Sequence, residues 1–209
     1  MTHAVSKTEN IFANLPELET RRLVLRKFRL EDADEVFEYA SDPEVTRYTI
    51  FDFHTDKQQT INFLNSVLVR YGLGEPAPWA IWHKGHEKVI GGCGFSHYDR
   101  EHARAEVGYA IARYYWGHGF TSEAMQAVIH FGFEQAGLNR IEARCIPAHT
   151  PSQRVMEKVG MKFESLQRQH SFFKGGYQDL TLFVLLKSEF EAGAGQLATR
   201  SVKKGSGKR

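Results

Sequence analysis

The segment from Val107 to Met125, VGYAIARYYWGHGFTSEAM, constrains the fold of this chain more than any other part of the sequence. A strand-like start runs into a glycine-containing loop, Gly117 to Gly119, which opens directly onto a helical pattern. Such a loop directs its backbone N–H groups, with the positive end of the helix dipole, at one bound phosphate or pyrophosphate. A side chain at either glycine would hold that group away from the backbone. The segment therefore predicts a phosphate site, to which Thr121 and Ser122 would add hydroxyl donors.

Alone, a Gly-x-Gly loop is also typical of a tight strand-to-helix turn that binds nothing. The neighbouring residues exclude two other kinds of phosphate site. No Gly-Lys-Ser/Thr follows the loop, as a nucleoside-triphosphate site requires, and no third glycine completes a dinucleotide fingerprint. The ligand therefore has to be inferred from the rest of the chain.

Elsewhere in the chain, strand and helix signals alternate. Capping patterns at Asp32/Glu35 and Thr55/Gln58 each predict the start of a helix, and the second of these helices is predicted to end at Gly72. Further helices are predicted from Thr121 to Ala136, ended by Gly137, and from Pro151 to Val159. Strands are predicted at Arg21 to Phe28, Trp79 to His83, Val89 to Tyr98, Arg104 to Ile111, Arg140 to Ile146, Lys162 to Arg168 and Leu180 to Leu186. We expect an α/β (α+β) fold, with a mixed, mostly antiparallel sheet of about six to seven strands flanked by about four helices.

Composition predicts one globular domain followed by a tail. Hydrophobic residues at 42% and charged residues at 25% of the 209 are ordinary for a folded domain, which we place at residues 1–191. Residues 192–209, AGAGQLATRSVKKGSGKR, predict a disordered basic tail. The tail could touch an acidic partner such as RNA, but a solvated terminus is favoured. The net charge of +2 gives no reason to expect nucleic acid as the main ligand.

The sequence also indicates a location. No apolar run approaches the roughly 18 to 20 residues of a membrane span, and the N-terminal residues lack the apolar core of a secretion signal. Cys93 and Cys145 could form a disulfide, but two buried free thiols in a reducing cytosol are the favoured interpretation. No cluster of Cys, His and carboxylate residues has metal-site spacing. We expect a cytoplasmic protein, monomer or homodimer, without a membrane or metal partner.

Taken together, these segments resemble the GNAT superfamily of N-acetyltransferases, most of all its RimJ/RimL-type branch, which acetylates protein N-termini. ETRRLVLRKFRLEDADEVFEYASDPEV is similar to that branch's opening strand and helix, AEVGYAI to its central strand, and YWGHGFTSEAM to its pyrophosphate loop and helix. LNRIEARCIPAHTPSQRVMEKVGMKFE resembles its next strand and helix, and YQDLTLFVLLKSEF its last strand. The resemblance covers about Leu18 to Phe190 in the right order, and only the whole set of segments is specific.

The resemblance implies a GNAT fold with acetyl-CoA as co-substrate, in which two neighbouring parallel strands of the sheet splay apart. The pantetheine arm would enter that gap like an extra strand, bonded to the backbone of the central strand. Adenine contacts would lie near the short helix, and His149 would either contact the cofactor or make a structural hydrogen bond. The implied cofactor-binding residues are Tyr109, Ala110, Ile111, Trp116, Gly117, His118, Gly119, Phe120, Thr121, Ser122, His149, Arg154 and Lys158.

Three positions depart from the family pattern. Tyr114 replaces the usual Gln or Arg, and His149 replaces an Asn that can both donate and accept from one fixed end. Met156 stands where many members carry a Tyr as the acid for the departing thiolate, and it has no proton to donate. The departures keep open the alternative of a non-catalytic acyl-CoA-binding module.

Direct attack of an amine on a thioester, without an acyl-enzyme, needs a base, a polarised carbonyl and a proton for the leaving group. Glu106, just before the cofactor-binding part of its strand, is the candidate base through a water; the alternative is an exposed carboxylate balancing Arg104. Backbone N–H groups of the splayed strand would polarise the carbonyl. Ser152 matches a serine that the RimL-type branch places near the thioester, and its alternative role is a helix N-cap. His118 is a second candidate base, although its position in the loop favours exposure to solvent.

The acceptor is a primary amine whose identity remains open. A peptide α-amine, with a pKa of about 7.7 to 8.0, is partly neutral at pH 7, whereas a lysine amine near 10.4 is almost wholly charged. A weak, water-relayed base therefore favours protein or peptide N-termini over small amines such as aminoglycosides, polyamines or amino-acid derivatives. An acidic cleft would favour the cationic small amines. The segment Phe172 to Gly176 indicates either a loop beside the substrate mouth or a plain β-turn.

Overall fold

The computed structural model describes Phe12 and residues 14–193, and within them eight strands form one sheet. The strands are β1 (Leu18–Glu19), β2 (Leu23–Arg26), β3 (Pro78–His83), β4 (Lys88–Asp99), β5 (Arg104–Ile111), β6 (Arg140–Cys145), β7 (Lys162–Phe173) and β8 (Gly176–Leu186). Their order across the sheet is β1-β2-β3-β4-β5-β6-β8-β7. Every neighbouring pair is antiparallel except β5 and β6, which are parallel. The predicted mixed, mostly antiparallel sheet is confirmed, with one strand more than expected because β1 is too short to leave a pattern.

Helices cover both faces of the sheet, as predicted. They are α1 (Ala33–Ala40), α2 (Pro43–Thr46), α3 (Lys57–Leu73), α4 (Phe120–Glu134) and α5 (Thr150–Lys158), and residues 187–193 are also helical. On one face, Gly92 of β4 lies against Phe28, whose ring contacts Phe63 of α3 at 6.0 Å. On the other face, Phe95 of β4 lies against Gly132 of α4. Because side chains alternate between the faces of a strand, α3 and α4 lie on opposite sides.

The predicted helix start at Asp32 is confirmed, since Asp32 is the N-cap residue of α1, but the capping-box hydrogen bonds are not made. Asp32 makes no side-chain cap for α1, since its carboxylate accepts two hydrogen bonds from the Arg26 guanidinium and one from the Arg29 N–H. Glu35 accepts a hydrogen bond from the Val89 N–H of β4 at 2.7 Å instead. Both carboxylates accept hydrogen bonds from groups outside α1, which the capping pattern does not reveal.

Helix α3 is displaced by a residue or two from its predicted ends. Its N-cap is Asp56, whose carboxylate accepts from the Gln59 N–H, rather than Thr55. The helix continues past Gly72 and ends at Gly74, which adopts the left-handed conformation at φ +66°. Gly74 rather than Gly72 therefore supplies the C-terminal cap.

The sheet opens at its parallel pair. Pairing between β5 and β6 includes Arg104 to Glu106 and stops at the pair of Glu106 with Glu142. Beyond that point β5 stays paired with β4 on its other edge, as far as the pair of Ile111 with Gly91. One edge of β5 is therefore unpaired from Val107 to Ile111, and this confirms the splayed sheet.

Some expectations concern the rest of the chain. Cys93 and Cys145 are both buried and free, as favoured. Within the described residues, no helix is long and apolar enough to cross a bilayer. Residues 192 and 193 continue the last helix, and the remainder of the predicted basic tail lies outside the described residues. The division into a domain and a tail stays a prediction.

Candidate active site

The glycine loop has the conformation that an anion site requires. Gly117 has φ +79°, and Gly119, the N-cap of α4, has φ +81°; this left-handed region favours glycine. No side chain caps the helix, so the first-turn N–H groups are not taken by a capping oxygen. A Cβ atom at position 117 would have no atom within 4 Å, which leaves the loop open to a ligand.

Two cations flank this loop, and the sequence indicated only one of them. A Cβ atom built on Gly119 would lie 3.6 Å from Nη2 of Arg22 and 3.7 Å from Nζ of Lys158. Arg22 also donates to the carbonyl of His118 at 3.1 Å and pairs with Glu123 at 2.7 Å. Lys158 was expected near the adenine, whereas Arg22 was missed because nothing local connects it to a loop about a hundred residues away. Both charges favour a phosphate at this position.

The remaining residues of the loop differ in exposure. His118 is exposed, as favoured, and Phe120 is buried with the Arg22 guanidinium 4.2 Å from the centre of its ring. Thr121 is half-buried and Ser122 is buried in the first turn of α4. The Trp116 indole donates to the Ile111 carbonyl at 2.8 Å, which anchors the loop to the end of β5.

The open edge of β5 ends near the short helix α5. Ala110 and Ile111 pair with Gly92 and Gly91 on the β4 side, so their other edge faces the gap. The Tyr109 hydroxyl lies 2.7 Å from Oγ of Ser152 and donates to the Ser152 carbonyl at 3.1 Å. Burial raises the pKa of Tyr109, so its hydroxyl keeps its proton at neutral pH.

Helix α5 places Ser152 inside the protein. The helix begins at Thr150 with His149 as N-cap, so the alternative role of Ser152 as the N-cap is wrong. Ser152 and Met156 are both buried, one turn apart, on the side of the helix that faces the core. Arg154 and Lys158 are exposed on the same helix. A hydroxyl is therefore held at the gap one turn before the apolar Met156.

His149 carries an unsatisfied polar atom. Its Nδ1 atom is buried and has no hydrogen-bond partner among the described residues, and its ring stacks on Tyr48 at 4.6 Å. Burial lowers the pKa of His149, which favours the neutral ring. Buried nitrogens without a partner are rare in folded proteins, and a ligand group at the end of the gap would supply one.

Glu106 lies at the last paired position, where the gap closes. Nη1 of Arg144 donates to Oε2 of Glu106 at 2.6 Å, and Arg104 pairs with Asp99 instead. The alternative in which Glu106 merely balances Arg104 is therefore wrong. A half-open cavity of about 240 Å³ adjoins Glu106 and is lined by His97, Arg104, Ala105, Glu106, Glu142, Arg144 and His170.

A hairpin closes the sheet on the side of β7. Phe173 ends β7 and Gly176 begins β8, so Lys174 and Gly175 form a two-residue β-turn with φ +50° and +78°. Nζ of Lys174 reaches the loop between α2 and α3, where it lies 3.0 Å from Oδ1 of Asp52. The β-turn predicted for this segment is thus present, and it touches a second loop.

The site therefore combines an anion loop, an open strand edge, a buried hydroxyl and a carboxylate at the point where the strands part. Among the described residues, no group of three His, Cys, Asp or Glu side chains is arranged to hold a metal ion. The loop and its two cations suit a pyrophosphate, and the open edge suits an extended chain with amide groups.

Comparison with known proteins gives the same result. The model of the acetyltransferase (GNAT) domain matches residues 22–162. The chain is 42% identical to the uncharacterized N-acetyltransferase p20 of Bacillus licheniformis, over 83% of this chain and 97% of that protein. It is 28% identical to the ribosomal-protein-serine acetyltransferase of Escherichia coli K12, over 46% of this chain and 54% of that protein. A GNAT-family acetyltransferase structure from Bacillus anthracis superposes with a TM-score of 0.75 at 32% identity, covering 83% of this chain and 99% of that one. This chain belongs to the GNAT family and is an acetyl-CoA-dependent N-acetyltransferase.

Proposed function

We propose that this enzyme acetylates the α-amino group of a protein or peptide N-terminus, in the cytoplasm. The observation that carries the acceptor class is the charge of the cavity beside Glu106. Its charged lining consists of Arg104 and Arg144 against Glu106 and Glu142, so the formal charges cancel. An acidic cleft that would collect polyamines or aminoglycosides is not found there.

Acetyl-CoA would lie along the site, from the glycine loop to the point where β5 and β6 part. The pyrophosphate would occupy the N–H groups after Gly117, between Arg22 and Lys158, with the adenine toward Arg154. The pantetheine arm would bond the open edge of β5 at Tyr109, Ala110 and Ile111. That direction leads to Glu106, where the co-substrate supplies an activated acyl group as a thioester.

The residues of this chain then have separate roles. Glu106 accepts a proton from the incoming amine through a water, so that the nitrogen can form its bond to the acyl carbon. Backbone N–H groups of β5 stabilise the negative oxygen that develops. Ser152 donates a proton to the sulfur as the carbon–sulfur bond breaks, and the proton taken from the amine returns through water to restore the Ser152 hydroxyl and the Glu106 carboxylate. Met156 has no proton to donate, whereas Ser152 is a buried hydroxyl one turn away on the same side of α5.

The charge state of the acceptor supports the same proposal. An α-amine with a pKa of about 7.7 to 8.0 needs only a weak base at neutral pH, unlike a lysine amine near 10.4. The Escherichia coli relative is named for acetylating a ribosomal protein, which is the acceptor type proposed here. The two free thiols support the proposed cytoplasmic location.

The test is thiol release from acetyl-CoA across unblocked N-terminal peptides, aminoglycosides and spermidine, with acetyl-CoA affinity measured in parallel. Each peptide is paired with its N-acetylated form, which keeps the sequence and removes the acceptor. We expect turnover on unblocked peptides alone. Turnover on aminoglycosides or spermidine instead would replace the proposed acceptor by a small amine. Tight cofactor binding without turnover on any of these amines would overturn the peptide proposal.

A further inference from the structure

Two carboxylates face each other across the parallel pair. Glu106 of β5 and Glu142 of β6 occupy directly opposed positions, the last that are paired before the strands part. Like charges at opposed positions of neighbouring strands repel. Arg144 follows Glu142 by two residues, so its side chain lies on the same face of β6.

The Arg144 guanidinium bridges the two carboxylates. Nη1 donates to Oε2 of Glu106 at 2.6 Å, and Nη2 donates to Oε2 of Glu142 at 2.8 Å. Nε donates to the side-chain oxygen of Gln167 at 2.9 Å. All three nitrogens therefore have a protein partner, and the side chain is only 17% exposed. A planar guanidinium with a protein partner at each nitrogen is poorly placed to bind a substrate anion. It is well placed to fix the orientation of its neighbours.

Glu142 has a second arginine partner, which does not contact Glu106. Arg140 donates to Oε1 of Glu142 at 2.6 Å and makes a bidentate pair with Glu164 on β7. Glu142 thus has an arginine on each oxygen. Glu106 is held by one oxygen only, because its Oε1 accepts no hydrogen bond from the described residues. The Glu106 side chain is 31% exposed and lines the cavity.

We propose that Arg144 is the positioning residue of the enzyme: it holds Glu106 by one oxygen so that the other is presented to the amine side of the cleft. This inference rests on the proposed function, since it needs Glu106 as the base. Without Arg144, Glu106 would lose the guanidinium that holds it beside Glu142, which would keep Arg140 as its partner, and Glu106 would be free to turn into solvent. Catalysis through a relayed water depends on that orientation, because proton transfer requires hydrogen-bond geometry.

A lysine cannot replace this arginine fully. Its single ammonium carries the charge but lacks the planar fork that reaches Glu106, Glu142 and Gln167 together. The variant Arg144→Lys therefore separates the two contributions of the residue. It keeps the charge that offsets the carboxylates and loses the fixed geometry.

The experiment compares Arg144→Gln, Arg144→Lys, Glu106→Gln and the double variant Glu106→Gln/Arg144→Gln in kcat, KM and acetyl-CoA affinity. Arg140→Gln is the matched control, because it lies on the same face of β6 and pairs with Glu142 but does not touch Glu106. We expect Arg144→Gln to lower kcat at least tenfold with acetyl-CoA affinity within about twofold of the wild type. Arg144→Lys should recover part of that loss, and Arg140→Gln should stay within about threefold.

The double variant decides whether Arg144 acts through Glu106. We expect it to be no slower than Glu106→Gln alone, within about twofold, because the group that Arg144 positions is already absent. If the loss of kcat in the double variant equalled the product of the losses in the two single variants, the proposal would be overturned. Arg144 would then have a structural role. Should Arg144→Gln not fold, full kcat in Arg144→Lys would overturn it equally. A wild type without turnover on any amine would instead overturn the proposed function, and this inference with it.

Discussion

At the scale of single residues, Glu106 differs from Glu142 and Glu164 in having one oxygen that accepts no hydrogen bond from the described residues, and it lines the cavity. The carboxylates of Glu142 and Glu164 are each held by arginine at both oxygens. Of these three carboxylates, only Glu106 has an oxygen without an arginine partner that can accept a proton. The structure thereby distinguishes residues that are chemically identical in the sequence.

Replacing that carboxylate should slow the reaction without weakening cofactor binding. We expect Glu106→Gln to lower turnover at least tenfold below pH 7.5, less than the roughly 100- to 10,000-fold typical of general acid–base catalysis, because an α-amine is already partly neutral. Acetyl-CoA affinity, measured by calorimetry, should stay nearly unchanged. Glu164→Gln, an exposed carboxylate on the same face, is the control. An unchanged rate in Glu106→Gln would remove this residue from the mechanism.

Ser152, the proposed proton donor to the sulfur, is the second residue to test. Tyr109, whose raised pKa keeps it a hydrogen-bond donor, lies 2.7 Å from it and can fix its direction. We expect Ser152→Ala to lower kcat about tenfold and Tyr109→Phe to lower it less, with little change in acetyl-CoA affinity. Thr150→Ala, an exposed position in the first turn of the same helix, should match the wild type. Full turnover in Ser152→Ala would assign the proton to water instead.

At the scale of elements, the strand–loop–helix unit is the proposed site of cofactor binding, and its chemistry is local. Gly119 must adopt φ +81°, which costs an ordinary residue on the order of 1 to 2 kcal/mol. The same loop brings its N–H groups to the helix end where no side chain caps them. Position 119 therefore needs the left-handed backbone conformation, and it also lies at the uncapped helix end that favours an anion.

A methyl group at Gly119 tests both requirements. We expect Gly119→Ala to weaken acetyl-CoA binding at least tenfold in calorimetry, because the loop must shift to relieve its backbone. Gly72→Ala is the control, since it lies in α3 with no atom within 4 Å of the added carbon. It should leave binding unchanged and raise the unfolding free energy by up to about 1 kcal/mol. Equal affinity in Gly119→Ala would place the pyrophosphate elsewhere.

At the scale of the whole molecule, contacts between distant segments hold the site in place. Glu123 of α4 accepts hydrogen bonds from the Thr20 hydroxyl, the Arg22 N–H and the Arg22 guanidinium. These bonds tie the first hairpin of the sheet to the helix that starts at the cofactor loop. Burial alone would raise the pKa of Glu123, but the hydrogen bonds from Thr20 and Arg22 outweigh it and the pKa is lowered.

This contact predicts a pH dependence of stability. A carboxyl with a lowered folded pKa adds stability above its unfolded value, about 4.3, and that stability is lost as the pH falls through the folded value. We expect the part of the unfolding free energy that Glu123 contributes, the difference between the wild type and Glu123→Gln, to be level from pH 7 to about 5 and to fall below that range. Glu123→Gln should be less stable at pH 7 and lose less on acidification, measured by urea unfolding. If the unfolding free energies of the two proteins fell equally on acidification, Glu123 would not contribute to the pH dependence of stability.

Much of the architecture could be predicted, and the failures have a common cause. Strand β5 was predicted at its observed limits, since an alternating pattern bounded by polar turns depends on neighbours in sequence. Asp32 and Glu35 matched a helix cap, but Arg26 and the Val89 N–H compete for those carboxylates across the fold. Ser152 likewise matched a cap, although the helix begins two residues earlier. Polar side chains near a helix start have several partners, and only the fold selects among them.

The sequence by itself determined the order of elements, because glycine conformation and side-chain periodicity act over a few residues. The kind of co-substrate came from the resemblance of the ordered segments to the GNAT superfamily. Tertiary structure alone decided which charges meet at the site. Arg22 reaches Glu123 across 101 positions, Tyr109 reaches Ser152 across 43, and Arg144 reaches Glu106 across 38. Such pairs depend on where β5 and β6 part and where α5 returns to the sheet. That geometry is set by the packing of the whole core, and no single segment of the sequence determines it.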